Sequence, residues 1–386
     1  VAIEAERLTL DDYLDFCADP GSRRITGHLL FNYFRRRRAL DAHLRACAER
    51  SPAPEVRALL CAALIRLFFQ TAAPRETTVS VAVDLAKRFR ADRFVNALLR
   101  RALRENWDFP DTPEAVLPPE ILAAWRKRFS PEETARLTEC FLTEAPFCFR
   151  ASDAVPEIPG AEKIPSFGES RFFSAPAEKV LASPEFAAGK LYIQDPAASF
   201  APSLVETGKI STVADLCAAP GGKALMLAEI LPQTTRFFLF DASEKRQRLT
   251  RKNFALHGKK AEISVARAQE VTGSFDLVVA DVPCSNTGVF RRRPDALWRF
   301  RRGALDKIVA LQKEILFHAA TLVAPGGQLL YSTCSIEEEE NTLLAREFEA
   351  AHHSFRRLGG KIILPQRTCD GAGAFIWKKE EESYGI

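Results

Sequence analysis

The sequence predicts an all-α domain followed by an α/β domain built on a doubly wound parallel sheet. Three observations predict it. Over roughly the first 140 residues apolar positions recur at three- and four-residue spacing, with no competing strand alternation. From about Leu191 short apolar runs alternate with helical stretches, the pattern of a parallel sheet covered by helices. The length of 386 residues also exceeds what one hydrophobic core ordinarily organises. The expected division is a helical domain over 1–140, a small connecting subdomain over 141–190 and the sheet domain over 191–386.

Composition narrows the class. With 47% hydrophobic and 27% charged residues the chain reads as an ordinary soluble globular protein. No uninterrupted apolar run approaches the roughly 18 residues of a membrane span, and the start lacks a signal-peptide pattern, so a cytoplasmic location and no membrane partner are expected. The chain opens on Val1 rather than Met, so its start is expected to be trimmed or to lack a short lead. Net charge is +4, and its distribution says more than its size: residues 1–110 hold 19 Lys+Arg against 14 Asp+Glu, whereas the remainder holds 35 against 36. The basic excess at the front suits a polyanionic partner. Nine cysteines without a C-x-x-C pair argue against a zinc ribbon, their odd number argues against a disulfide framework, and the six histidines lack metal-ligand spacing. No metal is expected, and a monomer is.

In the front region, residues 56–64 show the helical spacing, and Pro52, Pro54, Pro74, Pro110, Pro113, Pro118 and Pro119 punctuate a small bundle. Between Pro146 and Gly189 the composition turns to Pro, Ser and Phe without periodicity, which suggests short strands and turns. Behind it, residues 213–216, 236–240, 263–265, 277–280 and 328–331 are the predicted strands, with helices between them.

The first of these strands runs into Cys217-Ala218-Ala219-Pro220-Gly221-Gly222-Lys223 and a helix beginning near Ala224. Glycines there let the backbone approach a ligand, and the helix start offers donors and positive potential to a carboxylate or phosphate. The loop fits neither the dinucleotide pattern G-x-G-x-x-G nor a phosphate loop ending G-K-[ST]. Asp241 ends the second strand about 20 residues further on, where an acid commonly receives ribose hydroxyls. A nucleoside cofactor without a phosphate fits the combination. The plainer account, a tight turn and a helix-capping aspartate, covers each feature singly and not their order.

The fourth strand ends in Asp281-Val282-Pro283-Cys284-Ser285-Asn286-Thr287-Gly288 and the fifth in Ser332-Thr333-Cys334-Ser335. Ligands of such sheets bind at the carboxyl ends of the strands, so both thiols should face one crevice with the cofactor. C5 of a cytosine is too electron-poor to attack a methyl sulfonium, but thiolate addition at C6 makes it enamine-like. A carboxylate at Asp281 would stabilise the protonated ring, help typically worth about 10² to 10⁴ in rate. A second thiol would assist release. Cys17, Cys47, Cys61, Cys140, Cys148, Cys369 and Cys217 are expected simply to pack. Which of the two remaining thiols attacks is left open by the residues alone.

These stretches resemble the RsmB/Sun group of the NOL1/NOP2/Sun RNA 5-methylcytosine methyltransferases, and the likeness covers nearly the whole chain. It is carried by CAAPGGK from Cys217 to Lys223, by DVPCSNTGVFRRRPDALWR from Asp281 to Arg299 and by STCSIEEEEN from Ser332 to Asn341. QDPAAS, from Gln194 to Ser199, is similar to the family's lead-in to the first core strand. The resemblance implies a Rossmann-like class I methyltransferase domain using S-adenosyl-L-methionine. It implies that Cys334 is the nucleophile and that Cys284 helps release product, whereas DNA cytosine methyltransferases attack with the P-C cysteine. It places Cys217, Ala218, Ala219, Pro220, Gly221, Gly222 and Lys223 around the cofactor, Asp241 on its ribose and Asp281 on the base or cofactor. Val83–Lys87 and Phe94–Arg100 are similar to a NusB-like helical RNA-binding domain. The implied partner is RNA, specifically small-subunit (16S) ribosomal RNA. One departure stands out: where the family has an acid near the adenine in a G-D-G-R sequence, this chain has Ala266-Arg267-Ala268-Gln269-Glu270. The adenine contact would then pass to Gln269, Glu270 or the backbone.

Arg291, Arg292, Arg293 and Arg299, with Arg301 and Arg302, flank Trp298 directly after the P-C motif. Arginines can neutralise phosphates while the aromatic stacks a base, the target cytosine being unpaired or flipped. Trp298 could equally be core. Arg35 to Arg38 with Arg88, Arg90 and Arg93 form a candidate second patch, against the ordinary reading of a solvated face. The acidic run Glu337 to Glu340 reads as the opening turn of a helix, where the dipole favours acids, with no functional role. Two other functions compete. A methyltransferase for exocyclic amines would favour an N-P-P-Y strand end, which Asp281-Val282-Pro283-Cys284 does not supply, and a non-catalytic RNA-binding factor would not need both thiols and an intact cofactor loop.

Overall fold

A computed structural model describes residues 8–47, 51–70, 74–151 and 157–381. The chain forms two compact units: one holds the residues up to Glu144 together with Phe290–Arg301, and the other holds Ala145–Val289 and the residues from Arg302 onward.

In the first unit, helices Pro20–Cys47, Pro54–Phe68, Arg75–Ala86 and Asp92–Glu105 bury Leu40, Leu60, Leu64, Val95 and Leu99 in one core. Local chemistry sets their ends. Pro54 and Pro119 sit in first turns, where the missing N–H costs nothing. Ser130 and Glu133 form a reciprocal capping box, and Asn106 closes Asp92–Glu105 in the left-handed conformation.

Phe290–Arg301 packs with these helices, although the sequence assigned it to the domain over 191–386. Its short helix Pro294–Arg299 presents a buried Asp295, which accepts from the Leu10 amide at 3.1 Å and pairs with Arg299 at 3.0 Å. Trp298 donates its indole N–H to Phe34 O at 2.7 Å, and the Arg37 guanidinium lies 4.7 Å from its ring centre. Arg35 is buried and donates to Arg291 O at 2.9 Å, so the run from Arg35 to Arg38 is not a uniform surface patch.

The second unit begins with a four-stranded antiparallel sheet of β1 (Cys148–Ala151), β2 (Glu162–Ile164), β3 (Arg171–Ser174) and β4 (Leu191–Ile193), in the order β2-β3-β1-β4. The large sheet holds β5 (Thr212–Asp215), β6 (Arg236–Asp241), β7 (Glu262–Val265), β8 (Phe275–Asp281), β9 (Val323–Thr333), β10 (Phe355–Ile363) and β11 (Ala372–Lys379). Their order is β10-β11-β9-β8-β5-β6-β7. β9, β8, β5, β6 and β7 are parallel neighbours, whereas β11 is antiparallel to both β9 and β10. The five predicted strands fall on β5 to β9, with Leu216 one residue past the end of β5.

The central strands are apolar throughout because both faces are covered: Val213, Leu277, Val279 and Leu330 point into one core, and Ala214, Val278, Ala280 and Leu329 into the other. Register fixes the site. Asp281 stands beside Ser332, and Asp215 stands beside Val279 and Leu239, so the carboxyl ends of β5, β8 and β9 finish close together. Among the described residues no helix is long and apolar enough to cross a membrane.

Candidate active site

The turn from β5 into helix Gly222–Ile230 is drawn tightly onto its neighbours. Gly221 has φ +101°, and a Cβ there would sit 3.3 Å from Phe254 and Thr250. A Cβ on Gly222 would come within 2.9 Å of Gln194 Nε2, so the lead-in segment, too, backs the loop. Ala218 N donates to Phe240 O at 2.8 Å. The buried Asp241 carboxylate accepts from Ala219 N at 3.3 Å and from Ser243 N at 2.9 Å. Arg246 pairs with Asp241 at 3.4 Å and donates to Ala219 O. Asp241 thus fixes the loop from the end of β6 in addition to any ligand it receives.

Three acids, Asp215, Asp241 and Asp281, surround the loop. Burial, reinforced by the Asp281 charge, pushes Asp215 up to about 7. Burial and then the Asp215 and Asp281 charges push the Cys217 thiol well above its ordinary range, which suits a packed group rather than a nucleophile. Lys223 donates to Asp281 Oδ2 at 2.7 Å. Burial works against the Lys223 charge, but attraction to Asp281 outweighs it and the pKa is raised. Ser332 Oγ donates to Asp281 Oδ1 at 2.7 Å, so both carboxylate oxygens are oriented.

Cys284 and Cys334 meet with their sulfurs 2.8 Å apart. Cys334 Sγ donates to Asn286 Oδ1 at 3.2 Å, and Asn286 Nδ2 donates to Cys284 O at 3.1 Å. Asn286 has φ +63°, a left-handed conformation that Asn tolerates better than most residues. The hydrogen bond with Cys334, then burial, then the Cys334 and Glu340 charges hold the Cys284 pKa well above the ordinary thiol value. Gly288 is pinned at the same place: its N–H donates to Cys334 O at 3.0 Å, and a Cβ would overlap Gly371 O.

The acidic run after Cys334 departs from its sequence reading. Helix Thr342–Ala351 begins only after it, and Glu337 and Glu340 are buried. Glu340 Oε1 accepts from Ser285 N at 2.8 Å and from Gln312 Nε2 at 2.9 Å, while Oε2 accepts from the hydroxyls of Ser285 and Ser335. Glu340, Gln312 and Asn286 were missed as site residues. Their one sequence signal was position, since Asn286 and Glu340 fall inside the two cysteine-bearing motifs.

The proposed RNA contacts lie in the helical unit except Arg302, which opens helix Arg302–Thr321 of the other unit. Arg291 is buried, Arg292 and Arg299 are half-buried, and Arg293 is exposed with Asp11 3.6 Å away. Trp298 packs against the helical core. Glu270 accepts from Arg267 N at 3.0 Å and Gln269 reaches Glu314 at 3.4 Å, so both candidates for the adenine contact are engaged by neighbours. Among the described residues no group of His, Cys, Asp and Glu could hold a metal ion.

A mostly parallel sheet with a glycine loop after β5 and two thiols at adjacent strand ends, preceded by a helical unit, defines a Rossmann-like methyltransferase with a NusB-like domain. Comparison with known proteins agrees: the model for 16S rRNA methyltransferase RsmB/F matches residues 203–372, and that for the NusB family matches residues 3–104. A ribosomal RNA small subunit methyltransferase B of Xanthomonas campestris is 31% identical over 363 residues, 84% of this chain and 78% of the relative. The protein of the same name from Shewanella oneidensis is 33% identical over 213 residues, about half of each chain (51% and 50%). The crystal structure of PH0851 has the same fold over 98% of this chain and 97% of its own, with TM-score 0.76 at 22% identity. The structure of NSun6 from Pyrococcus horikoshii with SFG covers 69% of this chain and 99% of its own, with TM-score 0.55 at 16% identity. The chain belongs to the RsmB/F family of 16S rRNA methyltransferases.

Proposed function

We propose that the protein transfers a methyl group from S-adenosyl-L-methionine to C5 of a cytosine in RNA, with small-subunit (16S) rRNA as the substrate, through a covalent bond between Cys334 and C6. The observation that carries this reading is the pair of thiols 2.8 Å apart at the ends of β8 and β9, beside an aspartate whose two oxygens are held by Lys223 and Ser332. Family membership supports the cofactor and the ribosomal substrate.

The site suits that cofactor. The start of helix Gly222–Ile230 offers free N–H groups to a carboxylate, and the acids Asp215, Asp241 and Asp281 complement a cationic nucleoside. When bound, the cofactor supplies its methyl group as a sulfonium-activated electrophile. Cys217 to Lys223 and Asp241 would hold it.

The chain's own residues do the rest. The sulfur of Cys334 adds to C6, while Asp281, held by Lys223 and Ser332, orients the base edge and stabilises the added proton on the ring. As its sulfur adds to C6, Cys334 gives up the thiol proton that it otherwise donates to Asn286 Oδ1 and the ring takes up one proton, while Cys284 keeps its own proton for release. In release, the C6–S bond breaks with its electrons returning to Cys334, Cys284 passes its proton to that sulfur, and the Cys284 thiolate takes the proton from C5.

The test is nucleoside analysis of unmodified 16S rRNA incubated with the full chain and methyl-labelled cofactor. Wild type is expected to yield 5-methylcytidine, Cys334→Ala none, and Cys284→Ala a protein–RNA adduct that survives a denaturing gel. A fully active Cys334→Ala enzyme would overturn the assignment.

A further inference from the structure

The two thiols come from segments 50 residues apart, which meet directly where Gly288 N donates to Cys334 O at 3.0 Å and Ile336 N to Thr287 Oγ1 at 2.9 Å. A buried carboxylate that touches neither sulfur gathers both segments and a third element as well. Glu340 is fully buried and accepts four hydrogen bonds: two on Oε1, from Ser285 N and Gln312 Nε2, and two on Oε2, from the Ser285 and Ser335 hydroxyls. Gln312 donates with the same amide to Pro283 O at 2.8 Å. The atoms gathered by Glu340 and Gln312 therefore flank Cys284 on both sides and follow Cys334 by one residue. Glu340 is itself anchored through its backbone, whose carbonyl accepts from Tyr331 OH at 2.7 Å.

The residue type follows from the donors. Ser285 N and Gln312 Nε2 can only donate, so Oε1 must be an acceptor, and the two hydroxyls complete Oε2. A buried carboxylate is tolerable only when it is satisfied in this way, with charge-assisted hydrogen bonds offsetting its lost hydration. A glutamine would turn an NH₂ toward one of the pairs and lose the charge assistance at all four contacts.

We propose that Glu340 is the positioning residue of the two-thiol site: its buried carboxylate ties the Pro283–Ser285 loop, Ser335 and helix Arg302–Thr321 into one piece and sets the approach of Cys284 to Cys334. Its charge also adds to the forces that keep the Cys284 proton in place. The kinetic consequence rests on the proposed cytosine chemistry, whereas the geometric consequence does not.

The experiment uses phenylarsine oxide, a trivalent arsenical that binds tightly only where it can form two As–S bonds, its oxygen leaving as water. Wild type is expected to capture one equivalent, with Cys284→Ser losing capture to identify the pair. Glu340→Gln should capture the reagent roughly tenfold more weakly. In single turnover with RNA its adduct formation should fall about 10²-fold, the scale of an ångström-level misplacement, with the dissociation constant for S-adenosylmethionine and the KM for RNA within about twofold of wild type. Should Glu340→Gln not fold, Gln312→Met removes the helix side of the same clasp and should lower both readouts by a smaller factor. A variant that captures the arsenical and reacts at the wild-type rate overturns the proposal. Loss of capture in a protein whose wild type makes no 5-methylcytidine would uphold the positioning role and reject the cytosine chemistry.

Discussion

Asp215→Asn should make the protein more stable in neutral and mildly alkaline solution, and the size of the gain can be worked from the site. Asp215 ends β5 with 1% of its surface exposed, and its Oδ1 accepts from Cys217 N at 3.2 Å. Burial, with Asp281 adding, raises its pKa from an ordinary 3.8 to about 7. In the unfolded chain the proton leaves above about pH 4; in the folded chain it stays until near 7. Over that window the folded state binds more protons, so this group's stabilising contribution is complete below the unfolded value and is lost as pH rises through the folded one. A gap of about 3 units sets a ceiling of roughly 4 kcal/mol, and about 1–3 kcal/mol is the expected share once the site relaxes. Asparagine keeps the acceptor for Cys217 N without the charge. Unfolding of wild type and variant is to be followed at pH 5 and pH 8 without cofactor. The variant's advantage should be smaller at pH 5 and larger at pH 8, with Tm rising by about 2–4 °C per kcal/mol for a unit of this size. A variant less stable than wild type at pH 8, or a difference that does not change with pH, would refute the reasoning.

Two further substitutions probe neighbouring features. Asn286→Gly removes the acceptor facing the Cys334 thiol and frees a left-handed backbone position; stability should change by less than about 1 kcal/mol while adduct formation slows by about tenfold, and an unchanged single-turnover rate would show that the amide does not orient the sulfur. Trp298→Ala removes the ring packed on the helical core and its hydrogen bond to Phe34 O, and should cost about 3–5 kcal/mol in an unfolding titration. A stable Trp298→Ala protein with weakened RNA binding would instead assign the indole to the substrate.

What was legible in the sequence divides along physical lines. β5 to β9 show as apolar runs because both of their faces are covered, and the glycine loop after β5 shows because glycine is demanded at Gly221 by a positive φ and close neighbours. The hairpin of β10 and β11 went unpredicted. β10 reads Phe-Arg-Arg-Leu-Gly-Gly-Lys-Ile-Ile, is half-buried at its centre with exposed charges on either side, and carries a register shift between Arg357 and Gly359, so neither strict alternation nor an apolar run marks it. Phe290–Arg301 was hidden for another reason. Its partners Leu10, Phe34 and Arg35 lie more than 250 residues away, and no local pattern records such a contact.

The acidic run shows how a correct local rule can miss a site. Acids before a helix are favoured by its dipole whatever else they do, so Glu337 to Glu340 carried no surplus signal once that reading was accepted. The information lay in the opposite partners: a half-buried amide N–H at Ser285, a buried glutamine on helix Arg302–Thr321 and two serine hydroxyls, all converging on one carboxylate. The same convergence bears on the thiols. The residues alone left open which of Cys284 and Cys334 attacks and the family resemblance implied Cys334; in the folded site hydrogen bonding, burial and the Cys334 and Glu340 charges all favour the proton on Cys284. A proton held on Cys284 suits the thiol that donates in release, which is the physical ground for proposing release through Cys284 and attack by its neighbour Cys334.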